Sequence, residues 1–287
     1  MTMTEKYTFS GHDSFFCRSL WLKKGYDFVK DGKDFNSPNA VIDLGVGKNM
    51  VSSIRYWMRA FGLIKSENLT PLANYIFDDN IGKDPYLEDL ATLWLLHFSI
   101  VTTMEATAYN WMFLELQKER KSFDRATAQN FIKRKMSERN KLNLYNENTV
   151  KKDISTLLLN YVTPKGTKTN EDFSGVLIDL DLIRLSDDKD KSYSFNLEGK
   201  RQVTPNIFLY AILKLKGEDV AVPYDILQKA GLIFCMDDME IINMAKEIDE
   251  KFEGVSYSDV AGIRQLIFTK QIDPKWVLDK YYDNGKL

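Results

Sequence analysis

The string FSGHDSFFCRSLWLKKG (9–25) is the part of this 287-residue chain densest in residues that can do chemistry. Gly11 permits an unusual backbone, His12 and Asp13 can titrate or hold a metal ion, and Arg18 can grip a phosphate or carboxylate. On that reading His12 is a general base or metal ligand, Asp13 a ligand, and Arg18 completes a catalytic group. The same residues have a structural reading. Asp13 or Ser14 would cap a helix beginning near Phe15, and His12 would bond to a backbone carbonyl. Both readings stay open at this point.

A second set lies in GVGKNMVSSIRYWMRAF (45–61). Met50, Ile54, Trp57, Met58 and Phe61 recur at helical spacing and make one apolar face. Lys48, Asn49, Ser52, Ser53, Arg55, Tyr56 and Arg59 fall mostly on the others. Lysine and arginine there would hold DNA phosphates, and Asn49 and Ser52 would read base edges. A short helix over 37–43, a Gly45–Gly47 turn and a Gly62 stop complete a helix-turn-helix expectation. Residues 124–197 echo this order, with Asn148, Lys151, Lys152, Ser155 and Thr156 as the outward set.

Phosphodiester hydrolysis with Mg²⁺ needs carboxylates to hold the ion and position water. Asp13 is one candidate. Asp179 and Asp181, followed by Glu198 and Lys200, form a D…ExK arrangement of the restriction-nuclease kind, although acidic residues number 41 and solvated charges would look the same. Other metal and nucleotide motifs fail. Ile42 stands where a P-loop needs its first glycine, Met50 replaces the third glycine of GxGxxG, and Tyr193 and Gly199 spoil a calcium loop. Two histidines and two distant cysteines give no standard zinc site or disulfide framework.

Mainly helical elements must position these groups. The periodicity predicts helices over 15–30, 86–117 (one long or two shorter), 124–139, 148–161, 205–216, 237–252 and 274–282. VTPKGTKTNED (162–172) reads as a loop, and the segment from VLIDLDLIRL to SYSFNLEG reads as a short β-hairpin. The expected fold is mainly α, with winged-helix-like (helix-turn-helix) units, short hairpin wings and a helical C-terminal region. Its blocks are 1–80, 81–120, 121–200 and 201–287. The net charge of −2 hides segregation: residues 116–170 carry +8, whereas residues 171–287 carry −7. Phosphate contacts depend on the local excess, so the basic block matters more than the total. The N-terminus lacks a signal-peptide pattern and the apolar 87–116 window is interrupted by charge, so a cytoplasmic protein without a membrane partner is expected.

Five strings appear in a recognisable order: FSGHDSFFCRSLWLKKG, DLGVGKNMVSSIRYWMRAFGLI, LWLLHFSI, NTVKKDISTLLLNYV and YSDVAGIRQLIF. The chain thereby resembles a bacterial family encoded beside sulfur-activating enzymes related to phosphoadenosine-phosphosulfate reductases. That family includes DNA-nicking components of single-strand phosphorothioation defence systems. In those systems a cysteine desulfurase, an ATP-dependent sulfur carrier enzyme and an ATPase help replace a nonbridging phosphate oxygen with sulfur. The matching motif positions are His12, Asp13, Ser14, Arg18, Trp21 and Lys23, then Gly45, Gly47, Lys48, Asn49, Arg55 and Trp57. The resemblance implies double-stranded DNA and the proteins of a sulfur-modification system as partners, Mg²⁺ as cofactor, and nicking of one strand. The other expectation is a non-enzymatic DNA-binding scaffold that recruits the modification enzymes.

Overall fold

A computed structural model describes residues 7–163, 174–186, 192–199 and 202–284. The chain forms two compact units, Met1–Asn196 and Leu197–Leu287. Most of the loop expected over 162–172 lies outside the described residues, as does Lys200.

The first unit begins with α1 (Ser19–Lys30), α2 (Ala40–Leu44) and α3 (Lys48–Ala60). Gly45 takes the left-handed conformation (φ +63°) that ends α2, and Gly47 caps α3, so the two glycines turn one helix into the next. A minimal hairpin follows, β1 (Ile64–Lys65) paired antiparallel with β2 (Asn68–Leu69), and then α4 (Pro71–Phe77). On α3, Ile54, Trp57, Met58 and Phe61 are fully buried as the spacing predicts. Met50 is only half-buried, and Val51 and Ser53 take the inner positions instead. Ser53 therefore faces the core and is not among the outward residues.

The predicted 86–117 helix is divided. Helix α5 (Leu90–Thr102) is followed by α6 (Thr107–Trp111), a π-helical turn (Met112–Leu116) and α7 (Gln117–Glu119). From Ala91 to Val101 every residue of α5 is buried, which is how an all-round apolar helix behaves at the centre of a soluble fold. Two of its buried polar side chains are tied into the fold: His97 Nδ1 lies 2.8 Å from the Tyr161 hydroxyl, and Ser99 Oγ donates to the Phe61 carbonyl at 2.7 Å. No helix among the described residues is long and apolar enough to cross a membrane.

Next come β3 (Ser122–Phe123), α8 (Arg125–Glu138), a 3₁₀ turn (Leu142–Leu144), α9 (Glu147–Tyr161), β4 (Ile183–Leu185) and β5 (Tyr193–Phe195). Asp124 and Asn146 cap α8 and α9 through their side chains. The strands form one antiparallel sheet in the order β3-β5-β4, so the strand before the helix pair joins the hairpin after it.

The second unit repeats that order. Helix α10 (Pro205–Lys216) precedes β6 (Ala221–Pro223), α11 (Tyr224–Ile233), α12 (Asp238–Lys251), β7 (Val255–Val260), β8 (Ile263–Phe268) and α13 (Pro274–Asn284), with the sheet ordered β6-β8-β7. Among the described residues, the C-terminal region expected to be helical carries four helices and, in addition, a three-stranded sheet. Val255, Leu266 and Phe268 bury one face of a six-residue-per-strand hairpin, and Ala261 and Gly262 turn it at positive φ.

Candidate nucleic-acid interface

Residues 7–18 are not the start of a helix. Helix α1 begins at Ser19 with Arg18 as its N-cap, so neither Asp13 nor Ser14 caps it. The chain ahead of it stays non-helical because other elements take its hydrogen bonds. Thr8 exchanges bonds with Thr107, and the Ser10 N–H donates to both carboxylate oxygens of Asp153 at 2.9 and 3.1 Å. Cys17 N–H donates to Asn160 Oδ1 at 3.0 Å, and Trp57 Nε1 donates to the Phe15 carbonyl at 3.2 Å. Ser10, Gly11, Asp13 and Ser14 all have positive φ, a density of left-handed residues that folds retain where surroundings over-determine them. Gly11 is required: a Cβ there would stand 2.6 Å from the Tyr56 ring.

His12 is the pin of this segment. It is buried, and its Nδ1 accepts from the Ser14 N–H at 3.0 Å, which leaves Nε2 to donate to Asp153 Oδ1 at 2.5 Å. Its ring stacks on Trp57 at 6.1 Å and meets Tyr56 edge-on at 5.6 Å. Both ring nitrogens are thus engaged, with a carboxylate and a backbone amide in place of the expected carbonyl. Asp13 is exposed. Arg18 is half-buried with its guanidinium 5.3 Å above Trp21, while Lys23 is committed to Asp27 and Asp79 at 2.5 and 2.7 Å. Burial pushes the Cys17 thiol well above its ordinary value, which leaves it without nucleophilic character.

Over the exposed face of α3 lies a cleft of about 650 Å³. Lys48, Ser52, Arg55, Tyr56 and Arg59 line one wall, the 35–41 segment the other, and Gly11 the end beside Tyr56. Asn49 is exposed but does not line it. Arg55 donates from Nε to Glu67 Oε2 at 2.9 Å and from Nη1 to Asn36 Oδ1 at 2.9 Å, and Arg59 also bridges to Glu67. Lys48 makes no ion pair among the described residues. Burial, reinforced by the Asp153 and Glu105 charges, pushes the Tyr56 phenol far above its ordinary value, so it is a neutral wall.

Helix α9 is fastened to the rim of this cleft. Asp153 on its inner side holds Ser10 and His12, which flank Gly11, while Lys151 and Lys152 on its outer side are exposed and unpaired among the described residues. Ser155 is half-buried and Thr156 buried, its hydroxyl 3.3 Å from His12 Nδ1; Thr156 therefore belongs to the core. Part of the basic block is internally neutralised. Arg134 pairs with Glu119 and Glu138, and Lys135 and Arg139 share Glu115. Lys118, Arg120, Lys121, Arg125 and Lys133 remain exposed.

The carboxylates considered for a metal do not converge. Asp179 is exposed on a 3₁₀ turn (Ile178–Leu180), and Glu198 is exposed after β5. The Asp181 carboxylate accepts from Arg184 Nε and Asn196 Nδ2. Among the described residues no group of three or more histidine, cysteine, aspartate or glutamate side chains could hold a metal ion. Asp153 and Glu67 were not singled out by the sequence. Asp153 had a signal, an acid interrupting the Val150–Ile154–Leu157 stripe, whereas Glu67 in a two-residue turn had none.

Over residues 9–282 the chain matches the model of a family described as a protein of unknown function (DUF4007). No protein of curated function matches it. Two crystal structures of SspB are similar to it, each at a TM-score of 0.84 over 98% of this chain and 89% of the SspB chain. The magnesium ion-bound SspB is 26% identical and the other 25%.

Proposed function

The chain belongs to the DUF4007 family, and from that kinship and the basic cleft over α3 we propose that it binds duplex DNA and nicks one strand within a DNA phosphorothioation defence system. The cleft carries the reading, because it gathers Lys48, Ser52, Arg55 and Arg59 on one helix face bordered by a hairpin. In this reading the α2–α3 and α8–α9 pairs, each with its following hairpin, act as winged helices. Lys48, Arg55 and Arg59 hold phosphates of one segment, Lys151 and Lys152 those of an adjoining one, and Asn49 and Ser52 face base edges. Other proteins of the sulfur-modification system are its partners, and the cytoplasm is its compartment.

Magnesium is bound in one of the SspB structures, and we carry it over as the ion of the nicking step. Mg²⁺ is held by one or two carboxylates together with waters and substrate phosphates, so it does not need an all-protein cage. Of the carboxylates considered, Asp13 fits best: it is exposed, takes no partner among the described residues, and lies two residues from Gly11 at the end of the cleft. Asp13 would hold the ion, which supplies charge neutralisation at the scissile phosphate. Arg18 lies five residues further on, while His12 keeps the Asp13 turn in place. Asp179, Asp181 and Glu198 are the alternative ligands.

One observation favours the scaffold reading: His12, the only histidine in the N-terminal string, has both nitrogens occupied within the fold. Supercoiled plasmid separates the two. A nickase converts it to open circle with Mg²⁺ and not with EDTA, and loses that activity in Asp13→Ala and in Lys48→Ala/Arg55→Ala. A scaffold gives a salt-sensitive gel shift, weakened in Lys48→Ala/Arg55→Ala, and never open circle. Binding that ignores salt and the α3 substitutions sinks both.

A further inference from the structure

The β1–β2 hairpin turns through Ser66 and Glu67, at φ +50° and +64°. Two-residue hairpin turns with both central residues left-handed favour Asn-Gly, so Ser-Glu is an uncomfortable choice for the backbone alone. The turn delivers the Glu67 carboxylate to α3. There Oε2 accepts from Arg55 Nε at 2.9 Å and Oε1 accepts from Arg59 Nη2. Burial would raise the Glu67 carboxyl, but the hydrogen bonds and charges of the two arginines outweigh it and hold it below its ordinary value. An oxyanion set across two guanidinium groups is the arrangement a DNA phosphate would itself adopt. Both arginines line the cleft, and the carboxylate that holds them is still about 40% exposed.

We infer that Glu67 is a built-in competitor for the DNA backbone: it occupies the phosphate position between Arg55 and Arg59 and sets how strongly the α3 face holds non-cognate duplex. The inference rests on the DNA-binding reading of the cleft. While Glu67 is in place it cancels one of the two positive charges and fills the position between them, so a passing phosphate meets a single net charge there and releases less counterion. A duplex that also engages Lys48 and the α9 lysines displaces the carboxylate through contacts made elsewhere. The device raises the ratio of cognate to random binding by lowering the random term.

The test titrates fluorescein-labelled random-sequence duplex against the full chain over a salt series, reading anisotropy and melting temperature. Glu67→Gln keeps the shape of the side chain and removes its charge. Freeing one phosphate contact should steepen the log–log salt slope by about 0.9 and tighten random-duplex binding roughly tenfold at moderate salt. Glu67→Asp, too short to span both arginines, should show a smaller gain in the same direction. Unchanged or weaker binding in both variants, with melting retained, overturns the inference and makes Glu67 a residue that merely positions the arginines. If instead wild-type binding is insensitive to salt and to Lys48→Ala, the DNA reading and this inference fall together.

Discussion

His12→Ala discriminates most sharply between a catalytic and a structural N-terminal string. The substitution removes the donor to a buried carboxylate, leaving Asp153 with the Ser10 N–H alone, and vacates the space against Trp57 and Tyr56. A hydrogen bond to a charged group contributes about 1.5–3 kcal/mol, and breaking a buried pair costs about 3–5 kcal/mol because of the partner left behind. We therefore expect a loss of about 4 kcal/mol, or a fall in melting temperature of roughly 8–16 °C for a unit of this size. Asp153→Ala should cost about 2–4 kcal/mol by stranding His12 Nε2 and the Ser10 N–H. The double variant should fall short of the sum by about 1.5–3 kcal/mol, since the shared bond can be lost only once. Urea unfolding followed by tryptophan fluorescence reads all three, with Trp57 as a reporter at the site. A His12→Ala protein that keeps its urea midpoint but loses nicking would refute the structural argument and restore His12 as the base.

Two further predictions follow from single side chains. The Asp78 carboxyl is held well below its ordinary value by the Asn80 N–H, the Lys30 ammonium and the Ile81 N–H. A depressed carboxylate contributes stability that is present above its unfolded value of 3.8 and is lost as pH falls through the folded one, so Asp78→Asn should flatten the acid limb of a stability–pH profile measured by urea midpoint below about pH 4. Ser53 has a buried hydroxyl with no hydrogen-bond partner among the described residues, so Ser53→Ala should leave urea stability unchanged or raise it by up to about 1 kcal/mol, with DNA affinity unaltered; a clear loss of either would return Ser53 to the outward face.

What could be read from the sequence was whatever depended on neighbours three or four residues away. Asp124 and the Ala128–Phe131–Ile132–Met136 stripe specify α8, and the Asp237–Glu240 capping box starts α12. The Gly45–Gly47 turn into α3 was legible for the same reason, since the left-handed bend needs glycine. The start of α1 was not. Nothing local forbids a helix from Phe15, and it is Asn160, Trp57 and Asp153, all distant in sequence, that hold 7–17 out of a helix. The second-unit sheet was missed because β6 is three residues long and its partner β8 lies some forty residues further on. The Ala261–Gly262 turn between alternating segments was a usable hairpin signal there. Of the candidate site, the cationic positions on α3 were visible, but the Glu67 contact that governs two of them was not.

The order helix pair then hairpin occurs three times among the described residues, yet the fold alone cannot make three DNA-binding surfaces. Helix α12 occupies in the second unit the place α9 occupies in the first, and its exposed charges, Asp238, Glu247, Asp249 and Glu250 against Lys246 and Lys251, leave that face net negative. Such a face repels a phosphate backbone at every salt concentration where charge matters, whereas Lys151 and Lys152 attract it. Exposed Met239 on α12 and the exposed Val260–Ile263 pair at the hairpin tip differ equally from the α3 wall. Repetition of topology therefore conserves a way of packing two helices against a sheet. The outward side chains alone assign the chemistry, and on that criterion the proposed interface is confined to α3 and α9 of the first unit.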